Sequence, residues 1–240
     1  MTKRDIKEFI RMAISRLGLT RIYAKYRLLR GQNVSHLLIN DRAGCFSKIY
    51  ESGVWLNDRT SGSLSGFGSE IKNTNNIRKE LPKLLEKLEA KNILDIGCGD
   101  LTWMRHTKLP CSYIGADIVS SVIEKNRSEF STQDKSFIVL DAVTDIIPDC
   151  DAILCREILF HLSFRDAQSL INNLLKTDAR YLLATSDSGT KLNADIITGD
   201  FRLLNLRKPP FKFPVPIEEI IDDELQEGRR IGVWSLKNFD

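Results

Sequence analysis

The apolar residues of this chain begin on a helical beat. Ile6, Phe9, Ile10, Ala13, Ile14 and Leu17 recur at steps of three and four, the period of an amphipathic helix. Between Ser52 and Ser69 that beat stops; Gly, Ser and Asn take over and end in SGSLSGFGSE, which reads as a loop. Residues 77–90 (IRKELPKLLEKLEA) return to helix, with Pro82 near the start or kinking it. Short apolar runs then alternate with helical stretches. Strands are expected at 92–96, 112–117, 136–140, 152–155 and 181–185. Helices are expected at 101–108, from Ser120 or Ser121 to Phe130, and after Ser163. Ser163 with Asp166 resembles a capping box, and Ala167, Leu170, Ile171, Leu174 and Leu175 share one face beyond it. Two late β-like segments, FRLLNL (201–206) and RIGVWSL (230–236), flank KPPFKFPVP, where four of the seven prolines fall.

Strands alternating with helices at this spacing predict an α/β fold, a doubly wound and mostly parallel sheet. The 240 residues fit one such domain with an extension. We divide the chain into a helical and loop cap, 1–69, and a sheet domain, 70–240. A hydrophobic fraction of 42% suffices for a buried core.

Charge and cysteine usage narrow the setting. Net charge is only +3, weak support for a polyanionic partner. Five cysteines without a CxxC pair, beside three histidines, give no zinc spacing and suggest free thiols in a reducing compartment. Charges at Lys3, Arg4, Asp5, Lys7 and Glu8 interrupt any signal-peptide core, and no apolar run approaches the roughly 20 residues of a transmembrane helix. The expected location is cytoplasmic. Residues 1–30 nevertheless carry nine Lys/Arg against two acids. Such a helix can lie on an anionic membrane or meet phosphates. The plainer reading, which we prefer here, has its apolar stripe capping the domain.

In a parallel sheet, ligands bind beyond the carboxyl ends of the strands. Those ends carry Asp95-Ile-Gly97-Cys-Gly99-Asp100, then Asp117-Ile118, Asp141-Ala142 and Arg156-Glu157, with His161 four residues on. Asp117 lies 22 residues after Asp95, about the spacing at which a carboxylate grips a ribose diol. A dinucleotide would also need its pyrophosphate at a helix N-terminus and a third glycine. Here Leu101 takes that place, and Asp95 and Asp100 add negative charge. These carboxylates suit an adenosine ligand with a cationic end, which S-adenosyl-L-methionine has.

The collinear order LDIGCG, YIGADI, VLDAV and DAILCREILFHLS resembles the class I S-adenosylmethionine-dependent methyltransferases, over about residues 65–240. The resemblance implies a seven-stranded Rossmann-like sheet whose last hairpin is antiparallel, formed by FRLLNL and RIGVWSL. It implies Asp95, Gly97 and Gly99 at the methionine end, Asp117 and Ile118 at the ribose, and Asp141 and Ala142 around the adenine. Arg156 would flank the cofactor. SGFGSE with LNLRKPPFKFP is similar to a little-characterised bacterial branch loosely associated with small-molecule or saccharide acceptors, where Gly66, Gly68 and Ser69 would form a lid.

Methyl transfer to a hydroxyl wants a general base, for which Glu157 and His161 are the candidates; neither a metal nor a metal site is expected. Asp200 and Arg202 are placed on the acceptor side. Each position also has a plain structural use: Asp141 as a turn cap, Cys98 and Cys155 as packing, His161 as a buried hydrogen-bonded ring, Trp55 and Trp103 as core. The function expected is O-methylation of a small molecule. A nucleic-acid methyltransferase using the basic segment, a non-catalytic cofactor binder and a Rossmann oxidoreductase are the alternatives. CREI after the fourth strand, where an (N/D)PP(Y/F) base-flipping tetrapeptide would stand, argues against the first of these.

Overall fold

A computed structural model describes residues 3–56, 62–222, 224 and 227–239. Part of the loop expected over 52–69 falls outside these described residues. The elements in chain order are α1 (Lys3–Arg16), α2 (Thr20–Leu29), α3 (Arg42–Ser52), α4 (Asn75–Lys87), β1 (Asn92–Ile96), β2 (Ser112–Asp117), α5 (Ser120–Phe130), β3 (Lys135–Val139), β4 (Ala152–Cys155), α6 (Phe164–Leu174), β5 (Tyr181–Asp187), β6 (Glu218–Ile221) and β7 (Arg229–Ser235).

One seven-stranded sheet has the order β3-β2-β1-β4-β5-β7-β6. β1 to β5 are parallel, and β7 runs antiparallel to both β5 and β6. Side chains alternate between the two faces, as the pleat requires. Leu94, Ile96, Ile153, Cys155 and Leu182 pack with α6 through Leu170, Ile171 and Leu174. Ile93, Leu154, Leu183, Ile231 and Val233 pack on the other face with Ile77, Leu81 and Leu85 of α4 and Ile123 of α5. The doubly wound expectation and the antiparallel final strand are both met.

Three expectations differ from the structure. FRLLNL is not a strand. Leu204 and Leu206 are fully buried, but the edge beside β5 belongs to β7, so 201–206 runs irregularly, with Asp187 N donating to Leu204 O at 2.7 Å. The last hairpin is β6–β7 instead. The helix expected at 101–108 is a pair of turns with a 3-10 segment at Met104–His106, because Asp100 draws Thr102 N into a tight turn at 3.2 Å and Leu101 sits at φ +55°. Finally, α1 turns most of its apolar stripe outward: Ile6, Phe9 and Ile10 are exposed, as is Leu17 just after it, whereas Ile14 is half-buried and Glu8 buried.

Candidate active site

Strand order reverses between β1 and β4, the switch point at which a parallel sheet opens a crevice. A cleft of about 950 Å³ lies there. It gathers Asp95, Gly97, Asp117, Ile118, Asp141, Ala142, Arg156, Glu157 and His161 from four strand ends, together with Ser69 from the loop before α4. Gly66 and Gly68 line a neighbouring cavity instead. Gly99 lines neither; its N–H donates to Asp117 Oδ2 at 3.1 Å.

The loop after β1 has spent its donors. Gly97 N and Cys98 N both donate to Ala116 O, at 2.7 and 3.0 Å. Gly99 N serves Asp117, and Asp100 N donates to Ser65 Oγ at 2.9 Å. No backbone N–H from 97 to 100 is left to cradle a pyrophosphate, and only a three-residue 3-10 turn follows. That geometry, rather than the charge of Asp100, disfavours a dinucleotide. That carboxylate does not line the cleft. It turns to the loop before α4, accepting from Leu64 N at 2.6 Å and Ser63 Oγ at 3.1 Å, and so fastens the loop over β1.

Asp117 is buried at the end of β2. Each of its oxygens takes one backbone N–H, Gly99 N at 3.1 Å and Val119 N at 3.0 Å. Ile118 N also acts on this carboxylate; of its about four lone-pair sites, capacity remains for a ribose hydroxyl. Burial raises its pKa. Asp95 accepts from Tyr113 OH at 2.7 Å; burial pushes its pKa up to about 7, against the pull of Tyr113 and Arg156. A cation arriving beside it would restore the charged form. Apolar Ile118, Leu140, Ala142 and Val143 wall the far end, a surface that fits a purine ring. Asp141 is both a turn cap, taking Val143 N at 3.1 Å, and the partner of Arg42 at 2.6 Å.

Arg156 is buried, and its guanidinium grips Asp222 through Nε and Nη2 at 3.1 and 3.0 Å. Its Nη1 donates to Gly68 O at 2.9 Å, which fixes the SGFGSE loop. A Cβ on Gly68 would collide with the Glu157 carboxylate and push it from its place. Glu157 has left-handed backbone, φ +65°. Burial acts to raise its pKa, but Arg156 and Arg229 outweigh it and the net direction is down; Glu157 Oε1 is the ion-pair partner of Arg229.

His161 stands between Trp55 and Phe201, with ring centroids 4.7 and 5.3 Å away. Its Nδ1 lies 3.1 Å from Asp200 O. A carbonyl only accepts, so Nδ1 carries the proton and Nε2 keeps a free lone pair. Burial lowers the pKa of this imidazole. A second cavity of about 800 Å³ adjoins the cleft and shares Trp55, Ser65, Glu157 and His161 with it. Its other walls include Phe67, Phe201, Leu203 and Arg229.

Several contributors escaped the sequence reading. Arg42, Phe46 and Tyr50 reach the cleft from α3, an element signalled by Asp41 at its N-cap, accepting from Gly44 N, and by Gly53 at φ +60° after its end. Asp222 and Arg229 carry no local signal. Arg202, placed on the acceptor side from sequence, is fully buried elsewhere. It saturates the carbonyls of Leu159, Leu162 and Ala194 at 2.7, 2.7 and 3.0 Å, and burial lowers its pKa to about 9. Asp200 pairs with Arg27 at 2.7 Å and offers the site only its backbone carbonyl. Cys98 and Cys155 are buried, with thiol pKa values raised by burial. Among the described residues, no group of three His, Cys, Asp or Glu is arranged to hold a metal.

The sheet and crevice together are those of a Rossmann-like α/β fold with an antiparallel final strand. Solved structures similar to it include methyltransferases. The methyltransferase domain of bacterial CtHen1 is 15% identical, with 68% of this chain covering 98% of that one at a TM-score of 0.49. Magnesium protoporphyrin IX methyltransferase (ChlM) from Synechocystis PCC 6803, solved with bound S-adenosylhomocysteine (SAH), is 14% identical over 59% of this chain and 67% of that one, TM-score 0.44. The N-methyltransferase NodS from Bradyrhizobium japonicum WM9 in complex with SAH is 19% identical over 57% and 72%, TM-score 0.41. Likeness at this level identifies neither an acceptor nor a site residue. No protein family matches the chain by sequence, and no curated protein does.

Proposed function

We propose that the chain is an S-adenosyl-L-methionine-dependent methyltransferase that O-methylates a small molecule. The observation that carries this reading is the Asp117 carboxylate, buried at the end of β2 and lining the cleft with acceptor capacity to spare, beside a loop whose N–H groups are all engaged. That combination takes a nucleoside and refuses a pyrophosphate. Asp95 and Gly97 then face the amino-acid end, Asp117 and Ile118 the ribose, and Ala142 with Asp141 the adenine. Ser69 and the Arg156-held loop close over them, and residues 1–69 act as the cap that supplies Arg42, Phe46, Tyr50 and Trp55.

When bound, the cofactor supplies an electrophilic methyl group on a sulfonium. The residues supply position and a base. The second cavity holds the acceptor against Trp55, Phe67 and Phe201. His161 Nε2 would take the proton of the acceptor hydroxyl, leaving its oxygen free to receive the methyl group the cofactor supplies. Between the two candidates His161 is the base, since Glu157 is ionised and committed to Arg229. Alignment of two reactants in a closed site is worth roughly 7–11 kcal/mol of barrier.

Calorimetry with S-adenosylmethionine and SAH tests the cofactor; absent binding by the wild type, or Asp117→Ala binding equally well, would remove the proposal. Labelled S-adenosylmethionine incubated with cell extract identifies the acceptor. Label on RNA would favour the nucleic-acid alternative, and SAH binding without any transfer would favour a non-catalytic binder.

A further inference from the structure

α1 meets the domain largely through polar residues, with half-buried Ile14 an apolar exception. Arg4 donates to Asp187 Oδ1 at 2.6 Å and also bonds Thr190. Asp5 pairs with Lys191 at 3.9 Å, and Ser15 Oγ lies 3.5 Å from Asp195. Glu8 is buried and takes Arg11 at 3.1 Å. The opposite face presents Ile6, Phe9, Ile10 and Leu17, with Phe9 54% and Leu17 70% exposed. α2 continues the surface with Ile22, Tyr23, Tyr26 and Leu29, the last 87% exposed. Lys7, Arg16, Arg21, Lys25 and Arg30 lie exposed among them. None of these five makes an ion pair among the described residues. An apolar surface of this extent, left outward while the helix spends its polar side inward, calls for an occupant.

Charge decides which one. Arg4, Arg11 and Arg27 are paired, as are Asp5 and Glu8, so the outward face keeps the five exposed cations and neither of the two acids of residues 1–30. A second copy of the chain docking by the same face would set cation against cation. An anionic bilayer complements it: cations meet headgroups while Phe, Ile and Leu enter the acyl boundary and Tyr sits at the interface. We infer that α1 and α2 form a peripheral docking face for an anionic lipid surface. No helix among the described residues is long and apolar enough to cross a membrane, so the chain would lie on the bilayer. The inference stands apart from the methyltransferase reading.

The test is co-sedimentation of the full chain with phosphatidylcholine vesicles and with vesicles in which about a third of the lipid is phosphatidylglycerol. Binding is expected to the anionic vesicles only, weakening as salt rises. Phe9→Gln with Leu17→Gln should abolish it. Lys7→Gln with Arg16→Gln should weaken it about thirtyfold, roughly fivefold for each cation removed. All four positions are exposed, and a native near-ultraviolet spectrum confirms folding of each variant. Failure to bind anionic vesicles, equal binding to both kinds, or insensitivity to the charge variant overturns the inference. So does a lipid-free dimer that the Phe9/Leu17 variant dissolves, which would make a second copy the occupant.

Discussion

Arg156, just past β4, and Asp222, just past β6, form a two-pronged ion pair with both side chains at most 5% exposed. The same guanidinium holds Gly68 O and lies over the Trp103 ring, 5.5 Å from its centroid. One cation thus joins the sheet, its last hairpin and the loop over the cleft. Asp222→Ala leaves that cation buried without its counter-charge, a loss of about 3–5 kcal/mol. Denaturant titration should show the drop, and Asp222→Asn should lose less because an acceptor remains.

Asp95 gives a pH signature. Its folded-state pKa is about 7 against an ordinary 3.8, so between those values the folded chain binds more protons than the unfolded one. Stability from this group therefore falls as pH rises through that window. Asp95→Asn keeps an acceptor for Tyr113 OH and removes the penalty. Without ligand the variant should melt above wild type at pH 8 and converge with it near pH 4. It should lose S-adenosylmethionine affinity at the same time. A wild-type-like melting profile across that range would contradict the assignment.

Leu101 pits two terms against each other. Its φ of +55° costs an L-residue about 1–2 kcal/mol, which glycine would relieve. Its side chain is 1% exposed in the core, and removing a buried leucine costs about 2–5 kcal/mol. Packing outweighs strain, so Leu101→Gly should destabilise the protein by about 2 kcal/mol on chemical denaturation rather than stabilise it.

His161 should titrate below 6.5, since burial disfavours the imidazolium. Ring-proton chemical shifts against pH measure this directly. Once the acceptor is in hand, the acid limb of kcat/KM should fall at that same pKa. His161→Gln should lower kcat by about 10²–10⁴-fold while leaving cofactor affinity near wild type. Loss of cofactor binding instead would mark the ring as structural.

Much of the site was legible because it is local. A parallel strand delivers its carboxyl end to one edge, so Asp95, Asp117, Asp141 and Arg156 could be placed from strand pattern alone. The remainder rests on pairs far apart in sequence. Arg156 meets Asp222 across 66 residues and Glu157 meets Arg229 across 72, and no periodicity encodes such meetings. FRLLNL shows the same limit: its β-like composition does not say which segment wins the edge of the sheet, which β7 takes.

By itself, then, the sequence determined the alternation of strands and helices, the acids at the strand ends and the amphipathic period of α1, all consequences of backbone geometry within a few residues. The tertiary structure decided which way each amphipathic or charged group turned. Asp100 turned to Ser63 and Leu64, away from the cleft. α1 turned Arg4, Asp5 and Ser15 inward, where Asp187, Lys191 and Asp195 are their partners. A helical period specifies that two faces exist; only the charges across the interface select which one is buried.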